Sequence, residues 1–262
     1  MNIPIYQIDA FTDKLFGGNP AAICPLEEWL SDDLMQKIAR ENNLAETAFV
    51  LLKNDKYYIR WFTPEVEVDL CGHATLAASY MIFNYEDYDS DEVVFNSPRS
   101  GILKVKKKGD LYELNFPADK FEKVNIPAEL VEGLKKKPIE AYKGKTDYML
   151  VFSSRKDIKE MQPDFTKISG VKARGIIVTA KGDKCDFVSR FFAPQSGITE
   201  DPVTGSAHTT LIPYWSEKLN KKEMTAFQLS ERGGKLICKM EGDRVKIAGE
   251  AISYMIGMIQ ID

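Results

Sequence analysis

Histidine is almost missing from this chain: among 262 residues there are two, His73 and His208. Two histidines so far apart, with no His-Glu-x-x-His motif, argue against a catalytic metal centre. The four cysteines, at positions 24, 71, 185 and 238, form no Cys-x-x-Cys pair. Neither a disulfide framework nor a zinc site is therefore expected, and a reducing cytoplasm fits best. No apolar run approaches the roughly eighteen residues of a membrane span, and the first sixteen residues lack the basic and apolar regions of a signal peptide. Excess positive charge is absent too. The net charge is −4, without the basic stripe that a nucleic-acid partner requires. The sequence holds no Gly-x-Gly-x-x-Gly fingerprint and no Gly-x-Ser-x-Gly elbow, and Gly144-Lys145-Thr146 has Ile139 where a phosphate-binding loop needs glycine.

What the chain does contain is an internal repeat. Arg60-Trp61-Phe62-Thr63-Pro64 returns as Arg190-Phe191-Phe192-Ala193-Pro194. Gly72 and Ala74 return as Gly205 and Ala207, an offset of 133 (205 − 72), and the same offset relates Leu103, Gly109, Asp110, Tyr112 and Leu114 to Leu236, Gly242, Asp243, Val245 and Ile247. A period this long marks a duplicated domain rather than a solenoid. The second copy carries three extra residues between proline and glycine, and comparison of spacing puts them around Glu200-Asp201-Pro202.

Each copy reads as mostly antiparallel sheet around one helix. Strands are expected over 3–10, 47–52 and 57–62, with counterparts at 176–180 and 185–192, and hairpins at 101–116 and 234–249 turn at Gly-Asp. Ser31 caps a helix that places Leu34, Met35, Ile38 and Ala39 on one face and stops near Asn42-Asn43. Residues 72–83, rich in alanine and apolar side chains, predict a buried central helix; its equivalent runs from Gly205 to about Leu219, with Pro213 inside it expected to kink or shorten it. The fold class is α+β, two pseudo-symmetric duplicated lobes: 1–117, joined by a closing strand in 250–262, and 118–249.

The chemistry-bearing residues gather at the two helix starts. Unpaired amides and the helix dipole favour an anion there. Glycines 72 and 205 let a ligand approach the backbone, although glycine at such a place also serves helix packing. His73 directly follows one start and is suited to pass a proton or donate a hydrogen bond; His208, one turn into the other helix, is read as a packing or capping group. Ser206 at the second start can bind backbone or a carboxylate. Asp201 complements the helix dipole or orients His73. Glu46 stands between a helix end and an apolar strand, either as a surface charge or as a general acid/base.

Three motifs, Asn43-Leu44-Ala45-Glu46-Thr47-Ala48-Phe49, Asp69-Leu70-Cys71-Gly72-His73-Ala74-Thr75 and Glu200-Asp201-Pro202-Val203-Thr204-Gly205-Ser206-Ala207-His208, resemble the PhzF-like family, named after the phenazine-biosynthesis isomerase. Gly18-Asn19-Pro20 agrees as well. The resemblance spans essentially the whole chain. It implies the two-lobed fold of diaminopimelate epimerase with the active site between the lobes, a homodimer, and no cofactor or metal. It further implies proton transfer within a small carboxylate substrate, with Glu46 as general acid/base, His73, Asp201 and Ser206 as the other polar active-site groups, and Asn19, Gly72 and Gly205 as substrate contacts. The epimerase relatives use two opposed cysteines; here Cys71 has no thiol partner at the second helix start. An amino-acid epimerase using Cys71 with an unlike partner, and a non-catalytic binding or interaction protein on the same fold, are the alternatives.

Overall fold

A computed structural model describes residues 1–261. Two compact units divide the chain: Met1–Asn115 with Ala248–Asp262, and Phe116–Ile247.

In unit 1, β1 (Asn2–Ala10) pairs antiparallel with β2 (Asn19–Leu26); helix α1 (Asp32–Asn42) follows, and β3 (Glu46–Lys53) then lies parallel to β2. β4 (Lys56–Phe62) folds back antiparallel on β3 through Asn54 and Asp55, both in the left-handed region that a tight hairpin turn requires. The short β5 (Glu67–Val68) pairs antiparallel with β4. Helix α2 (Gly72–Tyr85) precedes β6 (Glu92–Ser97), which joins β4 in parallel, and β7 (Gly101–Lys108) and β8 (Leu111–Pro117) complete a meander. The α1 cap is as expected: Ser31 Oγ accepts from the Leu34 amide at 3.3 Å, and Asn43 ends the helix with φ 48°. Helix α2 buries residues on every side, which is the mark of a core helix rather than an amphipathic one. Ala74, Ala77 and Ala78 have no exposed surface, and β1, β2, β3 and β7 pack around them.

Unit 2 contains β9 (Glu122–Lys123), α3 (Ala128–Leu134), β10 (Glu140–Lys143), β11 (Tyr148–Val151), α4 (Arg155–Lys159), α5 (Phe165–Ile168), β12 (Ile176–Lys181), β13 (Phe187–Ala193), β14 (Ile198–Asp201), α6 (Gly205–Leu219), β15 (Glu223–Gln228), β16 (Gly234–Glu241) and the start of β17 (Arg244–Gly249). Its pairings repeat those of unit 1 in order. β11 lies parallel to β12, β12 antiparallel to β13, β13 antiparallel to β14 and parallel to β15, and β15 antiparallel to β16. The last strand, β18 (Ala251–Gln260), belongs to unit 1 and runs antiparallel to β1 from Asn2 opposite Gln260 to Ala10 opposite Ala251. Both units are thus the mixed, mostly antiparallel sheets around one helix that the repeat predicts. Among the described residues no helix is long and apolar enough to cross a membrane.

One expectation changes. Trp61 pairs with Val68 and Phe191 with Asp201, so Glu200 is the counterpart of Glu67 and not part of an insertion. The two glutamates do the same work. Arg60 grips Glu67 through Nε and Nη2 at 2.7 and 2.9 Å, and Arg190 grips Glu200 at 2.7 and 2.8 Å. The extra residues fall earlier, in the 3₁₀ turn Pro194–Ser196 that ends at Gly197, φ 78°. Helix α6 has the expected bounds, Gly205–Leu219, and is not shortened at Pro213. Proline removes the amide that would bond the carbonyl four residues back, and here the Asp119 amide donates to that Thr209 carbonyl at 3.1 Å, which leaves the acceptor satisfied.

Candidate active site

Glu46 opens β3 and His73 is the second residue of α2, and the two helix and strand ends bring their side chains together inside unit 1. Glu46 Oε2 lies 3.1 Å from His73 Nε2, with 14% and 7% of the side chains exposed. The approach is close enough for an ion pair but off the line that a hydrogen bond requires, so both atoms are buried without a hydrogen-bond partner. On the other edge of the ring, Asn19 Nδ2 lies 3.1 Å from Nδ1 and Cys71 Sγ 3.5 Å from the same nitrogen. If Nδ1 accepts from Asn19, the ring proton of the neutral form is on Nε2, toward Glu46. Burial opposes charging His73, yet the neighbouring Cys71 and Glu46 outweigh it and hold the imidazole pKa well above its ordinary value. Burial pushes the Cys71 thiol up to about 11. Cys71 is therefore neutral near pH 7, and the Glu46 carboxylate is the partner that favours imidazolium.

Glu46, Cys71 and His73 bring donor atoms within 4.8 Å of one another. The thiol is near Nδ1 and the carboxylate near Nε2 of the one ring. Asn19 has no exposed surface and meets the site at His73. Gly72 begins α2 after Cys71, whose side chain makes no cap hydrogen bond, and the first turn holds no acidic residue. This end is electropositive and open to an anion.

Unit 2 holds the counterpart. Thr204 replaces Cys71 as N-cap of α6, again without a side-chain cap bond, and Gly205 replaces Gly72. Ser206 stands where His73 stands in unit 1, and is half-buried. Thr204 Oγ1 donates to Asp201 at 2.5 Å, while Gln228 accepts from the Thr204 amide and donates to the Asp201 carbonyl, fixing the turn into the helix. His208 has the role of Thr75: its Nδ1 donates to the Thr204 carbonyl at 2.8 Å as Thr75 Oγ1 donates to that of Cys71 at 2.5 Å. It is a buried structural group whose pKa burial pushes down to about 4.

Sequence reasoning missed Arg174. Thr47 pairs with Phe62 and Ile176 with Phe192, so Gly175 is the counterpart of Glu46 and Arg174 precedes it. Arg174 Nη1 donates to Ser206 Oγ at 2.9 Å; Nε donates to Asp147 at 2.9 Å and Nη2 to its other carboxylate oxygen. Asp147 is 3% exposed. The one available signal was the register of the repeat itself, since no motif surrounds Arg174.

A duplicated sheet-and-helix unit with a carboxylate and an imidazole at one helix start places the chain among the epimerase-like isomerases. Residues 8–257 match the family model described as phenazine biosynthesis-like protein, and the chain belongs to that PhzF family. An uncharacterized isomerase of Pseudomonas aeruginosa is 47% identical, with the whole of both chains covered. A crystal structure of a PhzF-family protein from Enterococcus faecalis superposes with TM-score 0.97 at 45% identity, again over all of both chains. A hydroxyproline epimerase from Agrobacterium vitis shares the fold alone, TM-score 0.65 at 7% identity over 98% of this chain and 92% of that one. The protein is an isomerase of this family.

Proposed function

We propose that the chain moves a proton within a small carboxylate substrate, without a cofactor, by acid/base catalysis at Glu46. The Glu46 carboxylate takes a proton from one carbon and, as the carboxylic acid, returns it to another, so the substrate isomerises and the enzyme ends as it began. The observation that carries this reading is the buried contact of Glu46 Oε2 with His73 Nε2 at 3.1 Å, in which neither atom is hydrogen-bonded. A group held so keeps its hydrogen-bonding capacity and is screened from bulk water. His73 stabilises the carboxylate and offers an N–H; Asn19 holds its ring. Gly72, Gly205, Ser206 and Asp201 serve substrate binding and polar support.

Proton NMR in heavy water of dihydro-3-hydroxyanthranilate, the ring compound on which the family's founding isomerase acts, tests the proposal. Wild type is expected to convert it with deuterium uptake, and Glu46→Gln to lose about 10²- to 10⁴-fold in rate. Conversion at equal rate by both proteins removes Glu46 from the chemistry, and no conversion by wild type excludes that substrate. The one-thiol epimerase reading is weaker, because Thr204 occupies the second N-cap and burial keeps Cys71 protonated.

The same proposal includes a homodimer. The chain from Ala251 to Gln260 bears no charged side chain, and Tyr254, Ile256 and Met258 of β18 are 49%, 57% and 56% exposed. An uncharged apolar strand of this kind is a self-association surface.

A further inference from the structure

The two units have kept their geometry and changed their chemistry. At the start of β3, Glu46 meets His73; at the start of β12, the equivalent pair of positions is Gly175 and Ser206, and the adjacent Arg174 reaches the serine. The duplicated framework thus supplies a carboxylate–imidazole pair in unit 1 and a guanidinium–hydroxyl pair in unit 2.

Arg174 is held as part of the fold. Its Nε and Nη2 are engaged by the two oxygens of buried Asp147, and its guanidinium lies 5.3 Å from the centre of the Phe191 ring. Phe191 rises into the space beside Gly175, where a Cβ would meet ring atom Cζ at 2.1 Å. Glycine at 175 is therefore what lets the ring lie there, and the ring and Asp147 together set the direction of the Nη1 bond to Ser206. Asp147 is the counter-ion that Arg174 contacts, with the charges of Asp201 and Asp119 also acting on it, and Ser206 is a neutral hydrogen-bond partner.

The consequence lies in the serine. A hydroxyl has one proton to give and two lone pairs. Ser206 Oγ accepts from Arg174, so one lone pair is occupied and its proton is turned away from the cation. Donation from a cation also polarises the hydroxyl and strengthens its own donation. We propose that Arg174 is a positioning residue that fixes Ser206 as a hydrogen-bond donor, and that this pair selects a carboxylate ligand over the corresponding neutral amide. The assignment of that ligand as the substrate's carboxylate rests on the isomerase reading above.

Binding, rather than turnover, tests the pair, so that its failure is separable from failure of the proton-transfer reading. Benzoate and benzamide are titrated into the full-length protein and followed by amide NMR shifts at Gly205, Ser206 and Ala207. Wild type is expected to bind benzoate at least tenfold more tightly than benzamide. Arg174→Gln and Ser206→Ala should each lower benzoate affinity about tenfold or more, the range for losing a hydrogen bond to a charged group, and leave benzamide unchanged. Arg174→Lys, which keeps the charge but not the fork, should recover part of the loss. Because the arginine acts through the serine, the double variant should bind benzoate no worse than Ser206→Ala. Additive losses in the double variant would mean that Arg174 works independently of Ser206. Unchanged benzoate affinity in Arg174→Gln, or no preference in wild type, overturns the proposal. Should Arg174→Gln fail to fold, the Ser206→Ala and Arg174→Lys titrations decide alone: equal loss of benzoate and benzamide, or no loss of either, removes the selective role.

Discussion

At the scale of single residues, His208 and Thr75 show how one position keeps its hydrogen bond while exchanging side chains: each bonds back to the carbonyl of its N-cap. The exchange makes stability depend on pH in a direction that can be worked out. His208 is neutral in the fold until about pH 4, against an ordinary value of 6.5. Between those values the unfolded chain binds a proton that the folded chain does not, so this contribution to stability is present above pH 6.5 and is lost as pH falls toward 4. The loss is on the order of 3 kcal/mol, given 1.36 kcal/mol per pKa unit. Urea denaturation of wild type and His208→Gln at pH 7.5 and 4.5 should show the difference between the two proteins shrinking or reversing at the lower pH; an unchanged difference would mean that the ring titrates normally. Glu46 and His73 were legible in the sequence because a scarce residue and a misplaced charge stand out. Arg174 was not, since its counterpart is Ala45 and a repeat is found by what matches.

Helices and strands carry a different kind of information. The Arg60–Glu67 and Arg190–Glu200 clasps tie β4 to β5 and β13 to β14, immediately before the two helix starts that bear the site. All four side chains are at most 20% exposed, and a pair so shielded is costly to break from one side. Glu200→Ala is expected to lower unfolding free energy by about 3 kcal/mol, measured by chemical denaturation, and Arg190→Met with Glu200→Leu to recover much of it. A single and a double variant of equal stability would show the clasp to be energetically silent. Helix α6 was legible in its start and its end, but the reason Pro213 does not shorten it was not, because the amide that replaces the missing bond comes from Asp119, far off in sequence. The sequence reading also misplaced the three extra residues, although Glu67 and Glu200 already stand at the 133-residue offset (200 − 67) with which strand register agrees.

For the molecule as a whole, the duplication was legible from constant offsets, and the surface was not, since composition cannot say which apolar residues face outward. Light scattering after gel filtration is expected to give wild type twice the chain mass, and Ile256→Glu with Met258→Glu a single-chain mass with unchanged circular dichroism. A wild type that runs as one chain would remove the dimer. The strand that bears these residues also governs the order in which the molecule can be made. β1 leaves the ribosome before unit 2 and β18 after it, and they are partners, with Tyr6 opposite Ile256. All of unit 2 is synthesised before unit 1 can close, so on the nascent chain the second unit is free to reach its final form while the edge of β1 stands open, waiting for its neighbour. A chaperone that shields exposed strand edges has its period of use in that interval.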